Sequence, residues 1–532
     1  MHPRRLLLWT VVSGLVGAGA ALAATELVAL AIAPAAGPVL AVGALVIDLA
    51  PSWLKDITIA LFGTNDKIVL LVMVGLLVAV LAAAVGVLER RRPPYGAIGL
   101  GLGGAIALIA VLSRAEADPL WAVPTVVGTL FGVVVLRVAI ARLNRWVAAG
   151  PAVAPPADAV PAAPDPAARP NRPTGSVDRR RFIGFIAATA ASAAIVGIAA
   201  RAVNAATATA ATVRAALRLP PPTRRAAPIP AGAALDVPGI TPLVTPNADF
   251  YRIDTALQVP RIDPSQWRLR VTGMVEQEVE IGWDELVALP LQEAYVTLMC
   301  VSNEVGGDLT GNALWLGYPI RDILARARPL DEADMVLSRS QDGWTASSPL
   351  EVLQDPERDA LLAIGMNGEL LPLEHGFPAR LVVPGLYGYV SATKWVVELE
   401  VTRFDRDLAY WSTRGWSERG PVKTHSRIDV PTANAGVGAG TVAVAGIAWA
   451  QHTGIERVEV RVDGGDWAEA RLAEAISADT WRQWVYEWRA EAGTHLIEVR
   501  ATDTTGFTQR SRSVPVAPDG AEGYHSVLVQ VA

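Results

Sequence analysis

The first 200 residues carry five apolar stretches, approximately 6–33, 68–88, 96–112, 122–140 and 182–200. A hydrocarbon layer of about 30 Å takes about 20 helical residues to cross, and most of these stretches reach that length. Inside lipid every backbone N–H and C=O must be satisfied within its own segment, so each stretch is predicted to be a helix. The third is short and rich in glycine, and a sixth apolar piece, 39–47, is too short to span and reads as interfacial or re-entrant. Arginines give the orientation. Arg4 and Arg5, Arg90 to Arg92, Arg142 and Arg145, and Arg179 to Arg181 all fall on one side if there are five spans and the N-terminus is cytoplasmic. Everything after about residue 203 then lies on the other side, placing the chain in the cytoplasmic membrane as a multi-pass protein.

The membrane half is as informative for what it lacks. The six histidines are His2, His375, His425, His452, His495 and His525, and none lies in a span, so haem held by paired histidines between helices is excluded. With a single cysteine there is no C-x-x-C-H haem attachment and no ligand set for an iron–sulfur cluster. Arg137 and Glu26 are the ionisable residues nearest the interiors of the spans, and both read as side chains that snorkel to an interface. The region 1–147 therefore reads as an anchor. A net charge of −6, with no basic cluster interleaved with aromatics, speaks against a nucleic-acid partner.

Residues 148–178 form an Ala/Pro-rich tract that can bury no core and read as a linker. It leads into Arg179-Arg180-Arg181-Phe182-Ile183, which resembles a twin-arginine export signal placed before the last span, 179–202. Such a signal would carry the outer part across already folded. An ordinary positive-inside cluster accounts for the same residues. A second linker is expected over 203–240.

From residue 241 the texture changes to mixed α/β. Residues 267–273 and 275–281 alternate like paired strands, 283–289 reads as a short helix, 317–328 contains an amphipathic helix, and 380–384 is a buried strand. The strand 295–299 delivers the only cysteine, Cys300, to its C-terminal end, where the chain turns into Asn303 and Gly306-Gly307. A lone thiol in an exported chain is either inert and buried or a reactive or metal-binding group.

Three separated motifs surround it: Asn247-Ala-Asp-Phe250-Tyr251-Arg252 after Thr245-Pro246; Cys300-Val-Ser-Asn303; and Met366-Asn367-Gly368 with His375-Gly-Phe-Pro-Ala-Arg380 and Ser391-Ala-Thr393-Lys394-Trp395. In their order and spacing, residues 247–403 resemble the molybdopterin-binding domain of the sulfite oxidase family. The resemblance implies a molybdenum–molybdopterin cofactor with Cys300 as the metal's one protein ligand, a soft thiolate beside the pterin's own sulfurs. It implies cofactor contacts at Asn247, Phe250, Tyr251, His375, Arg380, Ser391, Thr393 and Lys394, with Asp342 a further one. Arg380 and Lys394 are the cations suited to the pterin phosphate, and Arg252 is a cation for the catalytic site. In the sulfite oxidases themselves a basic loop follows the cysteine; here it reads Glu304-Val305-Gly306-Gly307, and a carboxylate there disfavours a small dianion.

Residues 423–532 read as all-β. Strands are expected over 441–449, 455–462, 467–472 after the turn Asp463-Gly-Gly-Asp466, and 495–501, with Trp481, Trp484 and Trp488 between. This pattern resembles the immunoglobulin-like domain that follows the molybdenum domain in the family and often serves dimerisation, so a homodimer is an open option.

The fold expected is thus multi-domain: about five transmembrane helices, an α+β molybdopterin domain over 241–422 and a β-sandwich. The function implied is two-electron oxygen-atom transfer on a small-molecule substrate outside the cytoplasm, with electrons exchanged with an external partner. Two other readings fit the residues less completely. One is a cysteine-nucleophile enzyme with Cys300 activated by His375; the other is a non-catalytic anchored binding module whose cysteine is core.

Overall fold

A computed structural model of the protein describes residues 2–32, 36–51, 54, 57–58, 61–62, 66–114, 117–149, 174–206 and 209–532. Most of the Ala/Pro-rich linker, 150–173, lies outside the described residues. The chain forms two compact units, 1–208 and 209–532.

In the first unit, five described helices are long and apolar enough to cross a membrane: Pro3–Ile32, Lys67–Arg91, Tyr95–Leu112, Pro119–Ala148 and Val177–Ile198. The piece expected to be interfacial forms the short helix Pro38–Leu49. Small residues let these helices approach closely, as bilayer helices do without a hydrophobic drive between them. A Cβ on Gly14 would lie 2.0 Å from the Ala82 carbonyl oxygen, and one on Gly128 would lie 1.9 Å from Thr25 Oγ1. Phe182 is fully buried between Trp9 and Trp146, with ring centroids at 5.5 and 5.7 Å. Glu89 accepts the Ala97 N–H at 2.7 Å and faces Arg137 Nε at 3.4 Å.

The second unit opens with α+β structure. Its strands are β1 (Arg268–Gly273), β2 (Val279–Gly282), β3 (Gln292–Met299), β4 (Thr310–Pro319), β5 (Met335–Ser340), β6 (Thr345–Pro349), β7 (Leu361–Met366), β8 (Glu369–Leu370), β9 (Arg380–Val382) and β10 (Val396–Thr402). One sheet has the order β2-β1-β10-β5-β6, the other β3-β4-β7-β8 with β9 on β7. Helices Trp283–Ala288 and Ile320–Ala327 follow β2 and β4 directly, and a single apolar core spans both sheets. The expected pair 267–273 and 275–281 forms as antiparallel β1 and β2, the second strand starting four residues later.

The remaining strands are β11 (His425–Val430), β12 (Gly436–Val437), β13 (Gly440–Trp449), β14 (Ile455–Val462), β15 (Ala468–Glu469), β16 (Arg471–Leu472), β17 (Arg482–Ala490), β18 (Gly493–Asp503) and β19 (His525–Val531). They form two sheets, β11-β13-β17-β16 and β12-β19-β18-β14-β15, over a shared apolar core. The stretch 467–472, expected as one strand, is two. Ala470 turns inward and donates its N–H to Val458 O, so β15 stays on β14 while β16 crosses to β17.

Candidate functional site

Strand β3 is buried on both faces over its last four residues, 296–299, and it leads into Cys300, 7% exposed. The following loop is closed by its own backbone and by one side chain. Cys300 N–H reaches Leu309 O at 2.9 Å, Asn303 N–H reaches Cys300 O at 3.1 Å, and the buried Asn303 Oδ1 accepts the Leu309 N–H at 2.7 Å. The loop's far end is held from the sandwich. Arg427 donates to Gly307 O at 2.7 Å, and Gly306 lies so close to the His525 ring that a Cβ there would meet Cδ2 at 2.3 Å. Gly306 also has φ +80°, where only glycine is unstrained. Burial pushes the Cys300 thiol above its ordinary value, with the Ser302 amide and hydroxyl opposing.

Tyr251 lies within electrostatic range of this thiol. Burial raises its hydroxyl above the ordinary range, the neighbouring Cys300 raises it further and Arg380 opposes. Phe250 stacks on Tyr251 and meets His375 and Trp315 edge-on. Burial, then Arg380 and Lys394, lowers His375 to about 4, so it is neutral at pH 7, and its ring Nε2 lies 3.2 Å from Asn247 O. Asn247 is fixed by Asn367, whose Nδ2 donates to Asn247 Oδ1 at 2.8 Å, while its own Nδ2 donates to Glu369 at 2.6 Å.

Arg380, 5% exposed, begins β9. Its guanidinium donates to the carbonyls of Leu381, His375 and Ala392 and lies 5.1 Å over the Trp315 ring. Among the described residues no carboxylate pairs with it, and burial lowers it to about 10. Lys394 differs. Its Nζ donates to Asp254 Oδ2 at 2.8 Å and to Glu374 O at 3.1 Å, and burial lowers it to about 8 despite Asp254. Arg252 Nε binds that same Asp254 oxygen at 2.9 Å.

The remaining expected residues are tied into the protein. Ser391 Oγ donates to Tyr387 O at 2.9 Å, Thr393 Oγ1 pairs with Ser338 Oγ at 2.7 Å, and Asp342 accepts the Trp344 N–H in the β5–β6 turn. Sequence reasoning missed Asp254 and Ser340, and gave no role to Asn367 within its motif. Ser340 Oγ is buried without a hydrogen-bond partner. Alternation along β5 puts it on the face of Ser338, since Arg339 between them leaves outward to Glu398. Beside Asn247 a cleft of about 370 Å³ is lined by Arg214, Asn247, Ala248, Glu369, Pro372, Leu373 and Glu374. Among the described residues no group of three or more His, Cys, Asp or Glu could hold a metal ion by itself.

Residues 256–411 match the oxidoreductase molybdopterin binding domain family. An uncharacterized oxidoreductase of Bacillus subtilis is 33% identical over 158 residues, 30% of this chain and 76% of that protein. Mitochondrial sulfite oxidase of Mus musculus is 32% identical over 339 residues, 54% of this chain and 62% of that protein, so the match leaves over a third of this relative uncovered. The solved sulfane dehydrogenase SoxCD from Paracoccus pantotrophus has a TM-score of 0.48 at 23% identity, over 55% of this chain and 84% of that one. The chain belongs to the sulfite oxidase family of molybdopterin oxidoreductases.

Proposed function

We propose that the chain is a membrane-anchored molybdenum enzyme whose catalytic domain, 241–422, faces away from the cytoplasm and exchanges an oxygen atom with a small substrate. Arg380 carries this reading: a buried guanidinium, bound only to carbonyls, shares Tyr251 with the chain's one thiol. An unneutralised buried cation calls for an anion, and the pterin's phosphate is one. The orphaned Ser340 hydroxyl is a second group suited to a cofactor atom. A single soft thiol fits a metal that brings its other sulfur ligands with it.

When bound, the molybdenum–molybdopterin group supplies a metal that exchanges an oxygen atom and two electrons with the substrate. Overall, substrate and water balance against oxygenated product, two protons and two electrons, and the electrons pass to or from an external carrier. The chain's residues build the site around that exchange. Cys300 provides the thiolate, which a bound cation holds deprotonated against the upward push of burial. Asn247 and neutral His375, with Phe250 edge-on to the imidazole, form the wall that orients the pterin. Tyr251, a buried hydroxyl kept protonated beside the thiol, is placed to donate a hydrogen bond to substrate oxygen.

The cysteine-nucleophile reading is weakened by two observations. His375 directs Nε2 at Asn247 O rather than at the thiol, and burial raises Cys300 where an activated nucleophile needs lowering. The test is elemental molybdenum per chain in detergent-extracted wild type and Cys300→Ala. Near-stoichiometric metal in the wild type, with the metal–thiolate absorption lost in the variant, is the expected result. Export-competent wild type without molybdenum refutes the proposal.

A further inference from the structure

We propose that Arg214 is a positioning residue for the pterin: its guanidinium ties the segment after the last span to the strand and turn that carry both halves of the pterin wall, so that this segment straps the cofactor in. The proposal deepens the molybdenum reading above and rests on it.

Arg214 stands on the helix Thr209–Ala216, after the end of the last span at Ile198. Its Nε donates to Leu371 O at 2.7 Å, and its Nη2 donates to Leu370 O at 2.5 Å and to Glu369 Oε2 at 3.1 Å. The other oxygen of Glu369 accepts from Asn247 Nδ2 at 2.6 Å. Beyond Leu371 the chain passes through Pro372 into the turn Leu373–His375, whose carbonyls hold the far half of the wall. Leu373 O accepts the Trp395 Nε1–H at 2.9 Å, Glu374 O accepts from Lys394 Nζ at 3.1 Å, and His375 O accepts from Arg380 Nη1 at 3.2 Å. One guanidinium therefore backs Asn247 on one side and the turn that holds both phosphate cations on the other.

The wall needs such backing. Behind Asn247, Leu373 and Glu374 lies the cleft of about 370 Å³ that Arg214 also lines, where a core would otherwise be. A wall open to solvent is not held by packing, so its polar contacts fix it, and groups that touch a cofactor are only as well placed as the groups behind them. The Arg214–Glu369 pair is partly exposed and contributes little alone; the charge-assisted bonds to two carbonyls do the holding. The rest of the segment crosses the sheet from β8 towards β3. Leu219 packs on β7 so closely that a Cβ on Gly365 would meet its Cδ1 at 2.7 Å, and Thr223 N–H donates to Leu291 O at 2.7 Å. Arg224 then pairs with Asp359 at 2.7 Å and bridges to Gln292, at the start of β3.

The test uses metal-loaded, detergent-extracted full chain. Protein is re-isolated at intervals at a fixed raised temperature and its remaining molybdenum is measured. Arg214→Gln should lose the metal at least fivefold faster than wild type, while cofactor-free Arg214→Gln and cofactor-free wild type unfold at the same temperature. Arg224→Gln removes an ion pair of the same segment at the β3 end and should release at the wild-type rate. A second arm needs no variant. Strap and cofactor, if coupled, stabilise each other reciprocally. Trypsin should therefore cut after the exposed Arg218 at least fivefold more slowly in loaded wild type than in wild type made without the pterin. Release from Arg214→Gln within twofold of wild type, equal acceleration by Arg224→Gln, or equal cutting with and without cofactor overturns the role of Arg214. Wild type that never carries molybdenum overturns the cofactor reading instead, so the two failures are distinguishable.

Discussion

Asn303→Ala should open the loop that covers the thiol, and the chain's single cysteine makes this directly measurable. Asn303 is 2% exposed, and its Oδ1 accepts the Leu309 N–H at 2.7 Å, closing the loop beside the Cys300–Leu309 backbone bond. Removing the acceptor leaves a partly buried N–H without its partner, which costs about 1–3 kcal/mol. If that cost falls on the closed loop alone, the equilibrium for local opening rises about 5- to 150-fold. Alkylation of a buried thiol proceeds through the open form, so the labelling rate of protein made without molybdenum should rise by the same factor. The assay is run at alkaline pH, since burial raises the Cys300 thiol. The far end stays clamped by Arg427 and His525, so the rise belongs to the Asn303 end. Asn303→Asp keeps an acceptor and should label near the wild-type rate. A rate within twofold of wild type for Asn303→Ala would refute the claim that this hydrogen bond controls access to the thiol.

Two further predictions concern stability. Burial holds His375, His425 and His525 near 4, with the Arg380, Lys423 and Arg427 charges also lowering them. An unfolded chain protonates these groups near 6.5 while the folded one does not, so stability is lost as pH falls from about 6.5 to 4, by up to ~3 kcal/mol for each histidine. His525→Asn keeps an acceptor for the Ile428 N–H and should flatten the dependence of the thermal midpoint on pH across that window, and an unchanged slope would contradict the assignment. In the membrane unit, Gly14→Val would drive a side chain into the Ala82 backbone, costing about 1–3 kcal/mol or more. Gly19→Val, with nothing within 4 Å of its Cβ, should be neutral; equal loss of detergent-stable protein from both variants would argue against this helix contact.

How far the sequence could be read follows from the range of the interactions. Spans are local: hydropathy over about 20 residues decides them, and all five expected stretches are helices. Cys300 at the end of a buried strand was legible for the same reason, because β3 is a short apolar run that stops at a turn. Charge state was not legible. Lys394 and Arg252 read as available cations until Asp254 joined them, 140 residues from one and two from the other. Glu89, just past the predicted end of its span, gave no local sign that it would meet Arg137 and the start of the next helix. The split of 467–472 turned on Ala470, whose inward bond to Val458 depends on two sheets already facing each other.

The same long-range logic explains why the sandwich stands where it does. Strand β3 lies at the edge of its sheet, so one side of its backbone has no strand partner. A bare edge in a site that must exclude water is both a pairing hazard and a set of unsatisfied donors. Sandwich residues cover it: Thr297 N–H donates to Asp479 O at 3.0 Å, Trp481 N–H to Thr297 Oγ1 at 2.9 Å, and Trp449 Nε1–H to Met299 Sδ at 3.0 Å. Arg427 and His525 then fix the loop that follows. Met299 is the residue before the thiol, so the sandwich sets the position of Cys300 from behind while the α+β sheets set it from the front. The geometry of the site therefore depends on both parts of the second unit, and a change in the sandwich that leaves the motifs at Asn247 and Arg380 intact still reaches the thiol through β3.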